Sequence, residues 1–255
     1  MNYTKNRHLI FAGFFLFTAL TACSEAPEKE QKTTSSETTD ASGKTDSEEV
    51  PQVELKKNPS DFIPDKYVLS EKIEGDLNKD GVNDCVLLIK GTDKEMIVED
   101  ETQGPLDQNR RGIIVLIKHD GGYEEIVKNL SCFSSENEDG GVYYPPELEL
   151  GIAKGNLLVQ YTHGRYGYWS YTFRHTNGDM ELIGYDRNNN YGPITESITS
   201  INFLTKKKQV KENVNENTEE SGDEVFKETW SKIKIDQSLK LSEIKDFDEL
   251  DMSKY

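Results

Sequence analysis

Between residues 61 and 208 the apolar positions fall in short runs rich in β-branched and aromatic side chains, broken by Gly, Asn and Asp. Such punctuation predicts antiparallel strands joined by tight turns. The runs are 85–90, 113–118, 123–127, 148–152, 157–162, 168–175, 180–185 and 198–204, with turn signals at Asp120-Gly121-Gly122, Lys154-Gly155-Asn156, 164–167 and Asn177-Gly178. Asn-Gly suits a two-residue type I′ turn, whose twist matches the strands it joins, so it also fixes a register. Thr176 then faces Asp179, Arg174 faces Glu181 and Phe173 faces Leu182. Side chains alternate along a strand, which puts Trp169, Tyr171, Phe173, Met180 and Leu182 on one face, predicted to be core. The expected fold is mainly β, an antiparallel meander in the form of a small sandwich or a partial propeller-like sheet.

Residues 209–222 are polar and read as a linker. After them Asp223 can cap a helix. Val225, Phe226, Thr229, Trp230 and Ile233 keep helical spacing, so a helix is predicted over 224–233. Beyond it, Leu241, Ile244, Phe247 and Leu250 can dock a short second segment, completing a C-terminal helical segment over 223–255.

The amino-terminal end has a different pattern. Lys5 and Arg7 precede an apolar run over 9–20 that is too short to span a bilayer, as in an export signal. The run ends in Leu20-Thr21-Ala22-Cys23, which resembles a bacterial lipobox. The resemblance implies cleavage before Cys23, a diacylglycerol on its sulfur and anchorage of an exported chain in the cell envelope. Ser24 favours the outer membrane where the host has one. Residues 23–58 carry Glu, Lys, Ser and Thr with no aromatic side chain, a composition expected to stay disordered and act as a tether for a β domain over 59–208.

The net charge of −17 repels phosphate and makes nucleic acid an unsuitable partner, while it concentrates cations and basic proteins. With Cys23 assigned to lipid, Cys85 and Cys132 are left to two readings, a disulfide in an oxidising compartment or a pair of core thiols.

One segment carries chemistry. Asp76-Leu77-Asn78-Lys79-Asp80-Gly81-Val82-Asn83-Asp84 places side-chain oxygens at loop positions one, three, five and nine, a Gly at six and the Val82 carbonyl at seven. Calcium takes six to eight hard oxygen ligands, and alternate residues of a tight loop can turn theirs inward. An EF-hand would need an acid at position twelve followed by a helix. That position is Leu87, within a strand-like run, so the segment 75–89 resembles the calcium loop of FG-GAP repeats. The resemblance implies a structural Ca²⁺ between two strands, with Asp76, Asn78, Asp80 and Asp84 as side-chain ligands and Val82 as a carbonyl ligand. It occurs in one copy.

Asp186-x-Asn188-x-Asn190 shares the first spacings but lacks the glycine, and is expected to be a loop; the acidic 136–141 stretch is expected to be a solvated turn. The 163–169 segment gathers aromatic and polar groups at a hairpin end, where Arg165 and Tyr166 at the tip are the candidates for partner contact. His119, His163 and His175 lack metal spacing, and no nucleophile elbow, zinc helix, Walker loop or dinucleotide fingerprint is present. Three readings of function stay open. One is a membrane-anchored, calcium-binding, non-enzymatic module that binds or scaffolds an envelope protein or glycan. Another is an envelope hydrolase or enzyme inhibitor acting from the acidic and aromatic loops. The third is a purely structural envelope protein.

Overall fold

A computed structural model describes residues 54–137 and 146–255, so the export segment, Cys23 and most of the expected tether lie outside the described residues. Fourteen strands are described: β1 (Leu55–Lys56), β2 (Tyr67–Gly75), β3 (Asp84–Gly91), β4 (Ile97–Asp100), β5 (Gly104–Asp107), β6 (Arg111–His119), β7 (Gly122–Phe133), β8 (Glu147–Ala153), β9 (Asn156–Thr162), β10 (Gly167–Thr176), β11 (Asp179–Tyr191), β12 (Ile194–Asn202), β13 (Lys207–Asn213) and β14 (Phe226–Lys232). All pairings are antiparallel. A five-stranded sheet runs β1-β7-β6-β3-β2, a seven-stranded sheet β14-β13-β12-β11-β10-β9-β8, and β4 with β5 forms a separate ribbon. The protein is mainly β and antiparallel, as the pattern predicts.

The central strands β3 and β6 are continuous apolar runs because both their faces are covered. Val86, Leu88, Ile113, Val115 and Ile117 enter the main core, where they share a cluster with Leu157, Val159, Tyr161, Tyr171, Phe173, Met180 and Leu182 of the larger sheet. Their neighbours Cys85, Leu87, Ile89, Ile114 and Leu116 face the other way, under Phe62 from the 3-10 turn Pro59–Phe62. That turn, with β1 paired to β7, assigns residues 55–62 to the domain and places its start earlier than residue 59.

The Asn177-Gly178 hairpin forms as expected, with φ +50° and +74° at the two turn residues and Thr176 opposite Asp179, Arg174 opposite Glu181 and Phe173 opposite Leu182. Lys154-Gly155 makes the equivalent turn between β8 and β9, with φ +54° and +71°.

The C-terminal third differs from its expectation. The expected helix is strand β14, an edge strand on β13, and β13 itself occupies the first part of the expected linker. Phe, Thr and Trp favour a pleated surface, and a helix of that length needs an apolar face to pack on, whereas β13 offers a free ladder. Trp230 is 58% exposed, so its helical spacing with Ile233 served no core. The tail beyond β14 docks on the core, though as irregular chain with a single 3-10 turn, Leu241–Glu243, and not as the helical segment expected over 223–255. Leu241, Ile244, Phe247 and Met252 join the main core, and Asn129 Nδ2 on β7 donates to the carbonyls of Leu241 (2.9 Å) and Ile244 (2.6 Å). On the opposite side the Leu182 amide on β11 donates to the Leu239 carbonyl at 2.9 Å. The tail therefore ties the two sheets together.

Cys85 and Cys132 are both free and buried. Cys85 faces the smaller cluster and Cys132 the main core, on opposite sides of one sheet. Cys85 lies opposite Leu116, whereas Phe133, next to Cys132, lies opposite Arg111, at the other end of β6. That register separates them by more than about 10 Å, beyond the reach of a disulfide.

Candidate functional site

The loop between β2 and β3 is anchored by Leu77, which is 2% exposed and belongs to the main core. It also rests on the larger sheet: Ile152 packs on Gly75, and the Lys79 chain runs so close over Gly155 that a methyl group there would meet its Cε at 2.5 Å. Lys79 and Gly81 take positive φ, +66° and +89°, which gives the loop its sharp turn.

Within this frame the predicted ligands are ordered by backbone N–H groups. Asp76 Oδ1 accepts from the amides of Lys79 (2.6 Å) and Asp80 (3.2 Å), and Oδ2 from Gly81 (3.0 Å). Asn78 Oδ1 accepts from the Asp80 amide at 3.0 Å. Asp80 Oδ1 accepts from the Val82 amide (2.7 Å) and Oδ2 from Asn78 Nδ2 (2.8 Å). The Val82 amide foremost, and then the Asn78 side chain, hold the Asp80 carboxyl below its ordinary value, so it stays ionised. Asp84 is fully buried. Its Oδ2 accepts from the amides of Leu77 (2.7 Å) and Asn78 (3.3 Å), and its Oδ1 from Lys118 on β6 (2.9 Å).

Each of these oxygens has two acceptor directions. Asp76 Oδ1 and Asp84 Oδ2 use both; Asp76 Oδ2, Asn78 Oδ1, Asp80 Oδ1, Asp80 Oδ2 and Asp84 Oδ1 each accept one bond and retain one. Among the described residues no three His, Cys, Asp or Glu side chains gather at metal-binding spacing. The acids here are held apart on backbone amides, and two of the five predicted ligands, Asn78 and Val82, are of other types. Asp84 does work that its place in the motif did not indicate: it clamps the loop to β6.

The hairpin tip sits on the 3-10 turn Gly164–Tyr166. Arg165 lies 5.4 Å over the Tyr166 ring, Tyr166 is 40% exposed, and His163 packs against it at 5.0 Å. Gly167 is required here, since a Cβ would meet the Asn188 carbonyl oxygen at 1.8 Å. Asp186, Asn188 and Asn190, expected in a loop, lie within β11, where Asp186 Oδ1 accepts from Ser200 Oγ at 2.6 Å. Of the acidic stretch, Glu136 makes ion pairs to Arg111 (3.6 Å) and Lys90 (3.9 Å), and 138–141 lie outside the described residues.

A second feature was not anticipated. A cleft of about 460 Å³ opens beside the main core, lined by Tyr161, Trp169, Tyr171, Tyr185, Arg187 and, from the tail, Phe247 and Asp248. Burial first, then nearby charges that include Asp248, raises the phenols of Tyr161 and Tyr171 above their ordinary value, so both are neutral. Of the cleft aromatics, Trp169 and Tyr171 read as core by strand alternation, whereas Tyr185 reaches the same face only through the bulge that shifts β11 against Thr172 and Phe173. Only the return of the tail, which brings Asp248 to them, turns these rings into a cleft wall.

Fold and site together define an antiparallel two-sheet domain with an acid-asparagine loop between two strands and an aromatic cleft. No family model, curated protein or solved structure matches the chain.

Proposed function

We propose that the protein is an exported, lipid-anchored, calcium-binding module of the cell envelope that binds or scaffolds an envelope protein or glycan without catalysing a reaction. The observation that carries this reading is the 76–84 loop. Three carboxylates and one amide sit in a turn pre-set by core packing, and five of their oxygens keep acceptor capacity. Hard oxygen donors of net charge −3 suit Ca²⁺, and the Val82 carbonyl would complete the set. Asp76, Asn78, Asp80 and Asp84 would hold the ion, which would screen the like charges and rigidify the junction between β2, β3 and the β8–β9 turn. The reading of the amino-terminal end rests on Leu20-Thr21-Ala22-Cys23. Attachment is assigned to lipid on Cys23 by the lipobox resemblance; among the described residues no helix is long and apolar enough to cross a membrane. Arg165 and Tyr166 remain the hairpin-tip residues for partner contact. Titration of Ca²⁺ into the wild type and into Asp76→Ala tests the loop: binding in the first and none in the second is expected.

A further inference from the structure

The aromatic cleft has no part in the calcium loop or the anchor. Trp169 lies nearly parallel to Tyr161, at 12° and 5.4 Å between centroids. Tyr161 is fully buried and Trp169 is half-buried, so the indole covers Tyr161 with one face and keeps exposure in the cleft. A flat ring edge-lined by polar groups suits a ligand that is itself flat and C–H-rich on one face and hydrogen-bonding at its rim.

The polar lining narrows the class. Arg187 and Asp248 are both exposed, one a donor and one an acceptor, so the lining is close to neutral. The Tyr161 hydroxyl is buried and has no hydrogen-bond partner among the described residues, a cost to the fold that a ligand hydroxyl would offset. A peptide adding as a strand would need a free strand edge, and β9, β10 and β11 are each paired on both sides. Anionic ligands meet a chain of net charge −17. The volume falls within the roughly 300–1,000 Å³ of small-ligand sites.

We infer that this cleft binds a neutral saccharide, one ring lying on Trp169 and its hydroxyls shared among Arg187, Asp248 and Tyr161. The inference rests on the reading of the domain as a binding module and is independent of lipid and calcium.

The chain has two tryptophans, so Trp230→Phe leaves Trp169 as the only indole reporter. This variant is titrated with glucose, N-acetylglucosamine, maltose and chitobiose, with calcium and with chelator. At least one sugar should change Trp169 emission saturably in both buffers. Adding Asp248→Asn should weaken that binding by about tenfold or more without lowering the melting temperature, because Asp248 is exposed. Tyr161→Phe should weaken it while keeping or raising the melting temperature. Emission unmoved by all four sugars, or a response unaltered by Asp248→Asn and Tyr161→Phe, overturns the inference. A calcium shift in melting without a sugar response sinks the cleft alone, and a sugar response without that shift sinks the calcium loop alone.

Discussion

Asp84 shows how much of this protein depends on single polar atoms. It is a fully buried carboxylate with three backbone amides on it, from two strands' worth of chain. Removing it in Asp84→Ala would leave those amides without their acceptor, so a loss of about 2–4 kcal/mol is expected in urea denaturation with calcium chelated. Asp80→Ala, whose carboxylate is solvent-exposed, should change stability far less under the same conditions. Equal effects would show that Asp84 does not clamp the loop. Both cysteines belong to this scale as well. Burial pushes the Cys85 thiol up to about 11 and the Cys132 thiol higher still, so both are protonated and shielded near neutrality. Ellman's reagent on a Cys23→Ser protein should find no thiol in the native state and two after unfolding without reductant. The sign of the linkage follows: above the unfolded thiol value near 9 the unfolded state releases protons that the folded state retains, so stability falls between about pH 9 and 11.

At the scale of elements, periodicity revealed most where a strand has one wet face and one dry face, or is buried on both. The eight expected runs coincide with parts of β3 and β6 to β12, and the Asn177-Gly178 turn sets the β10–β11 register from Thr176 opposite Asp179 to Phe173 opposite Leu182, beyond which a bulge shifts it by one residue so that Tyr171 faces Tyr185. It revealed least at the edges. β2 and β14 are mostly solvent-facing and β13, the neighbour of β14, buries no residue fully, so these strands carry no clean alternation, and the aromatic positions of β14 mimic a helix by chance of spacing. The two readings of β14 give different energetics. A helix seated on Trp230 would lose about 3–5 kcal/mol on Trp230→Ala, whereas an exposed edge-strand tryptophan should cost less than about 1 kcal/mol. Ile233→Ala, at a position 8% exposed, should cost about 2–4 kcal/mol. Chemical denaturation of the two variants side by side distinguishes these cases. The 76–84 turn, with its Asp and Asn oxygens turned onto backbone amides, was legible because its spacing is local. The cleft was not, because Trp169 and Asp248 meet only through long-range packing of the tail.

For the molecule as a whole, the described residues belong to one compact unit, Val50–Tyr255, whose two sheets share a core closed by its own C-terminal tail. Cleavage of the chain after residue 240 should therefore unfold the domain instead of trimming it, since Leu241, Ile244, Phe247 and Met252 leave the core together; limited proteolysis and circular dichroism of the truncated protein check this. The proposed anchorage belongs to this scale too: in a bacterial host the wild type should incorporate labelled palmitate and Cys23→Ser should not. The 76–84 loop, the proposed calcium site, joins these levels, because its anchor Leu77, its clamp Asp84 and its neighbour Gly155 connect both sheets. With about 1 mM free calcium and a dissociation constant of about 0.1 mM, as in extracellular sites, linkage adds about 1.4 kcal/mol. The most direct measurement is the melting temperature of the domain by calorimetry, with 1 mM calcium and then with chelator, in wild type, Asp76→Ala and Asp80→Ala. A rise of several degrees with calcium in the wild type alone, poorly reproduced by magnesium, is the predicted result; identical melting with calcium and with chelator, together with no heat of binding at millimolar calcium, would contradict it and leave the loop a hydrogen-bonded turn.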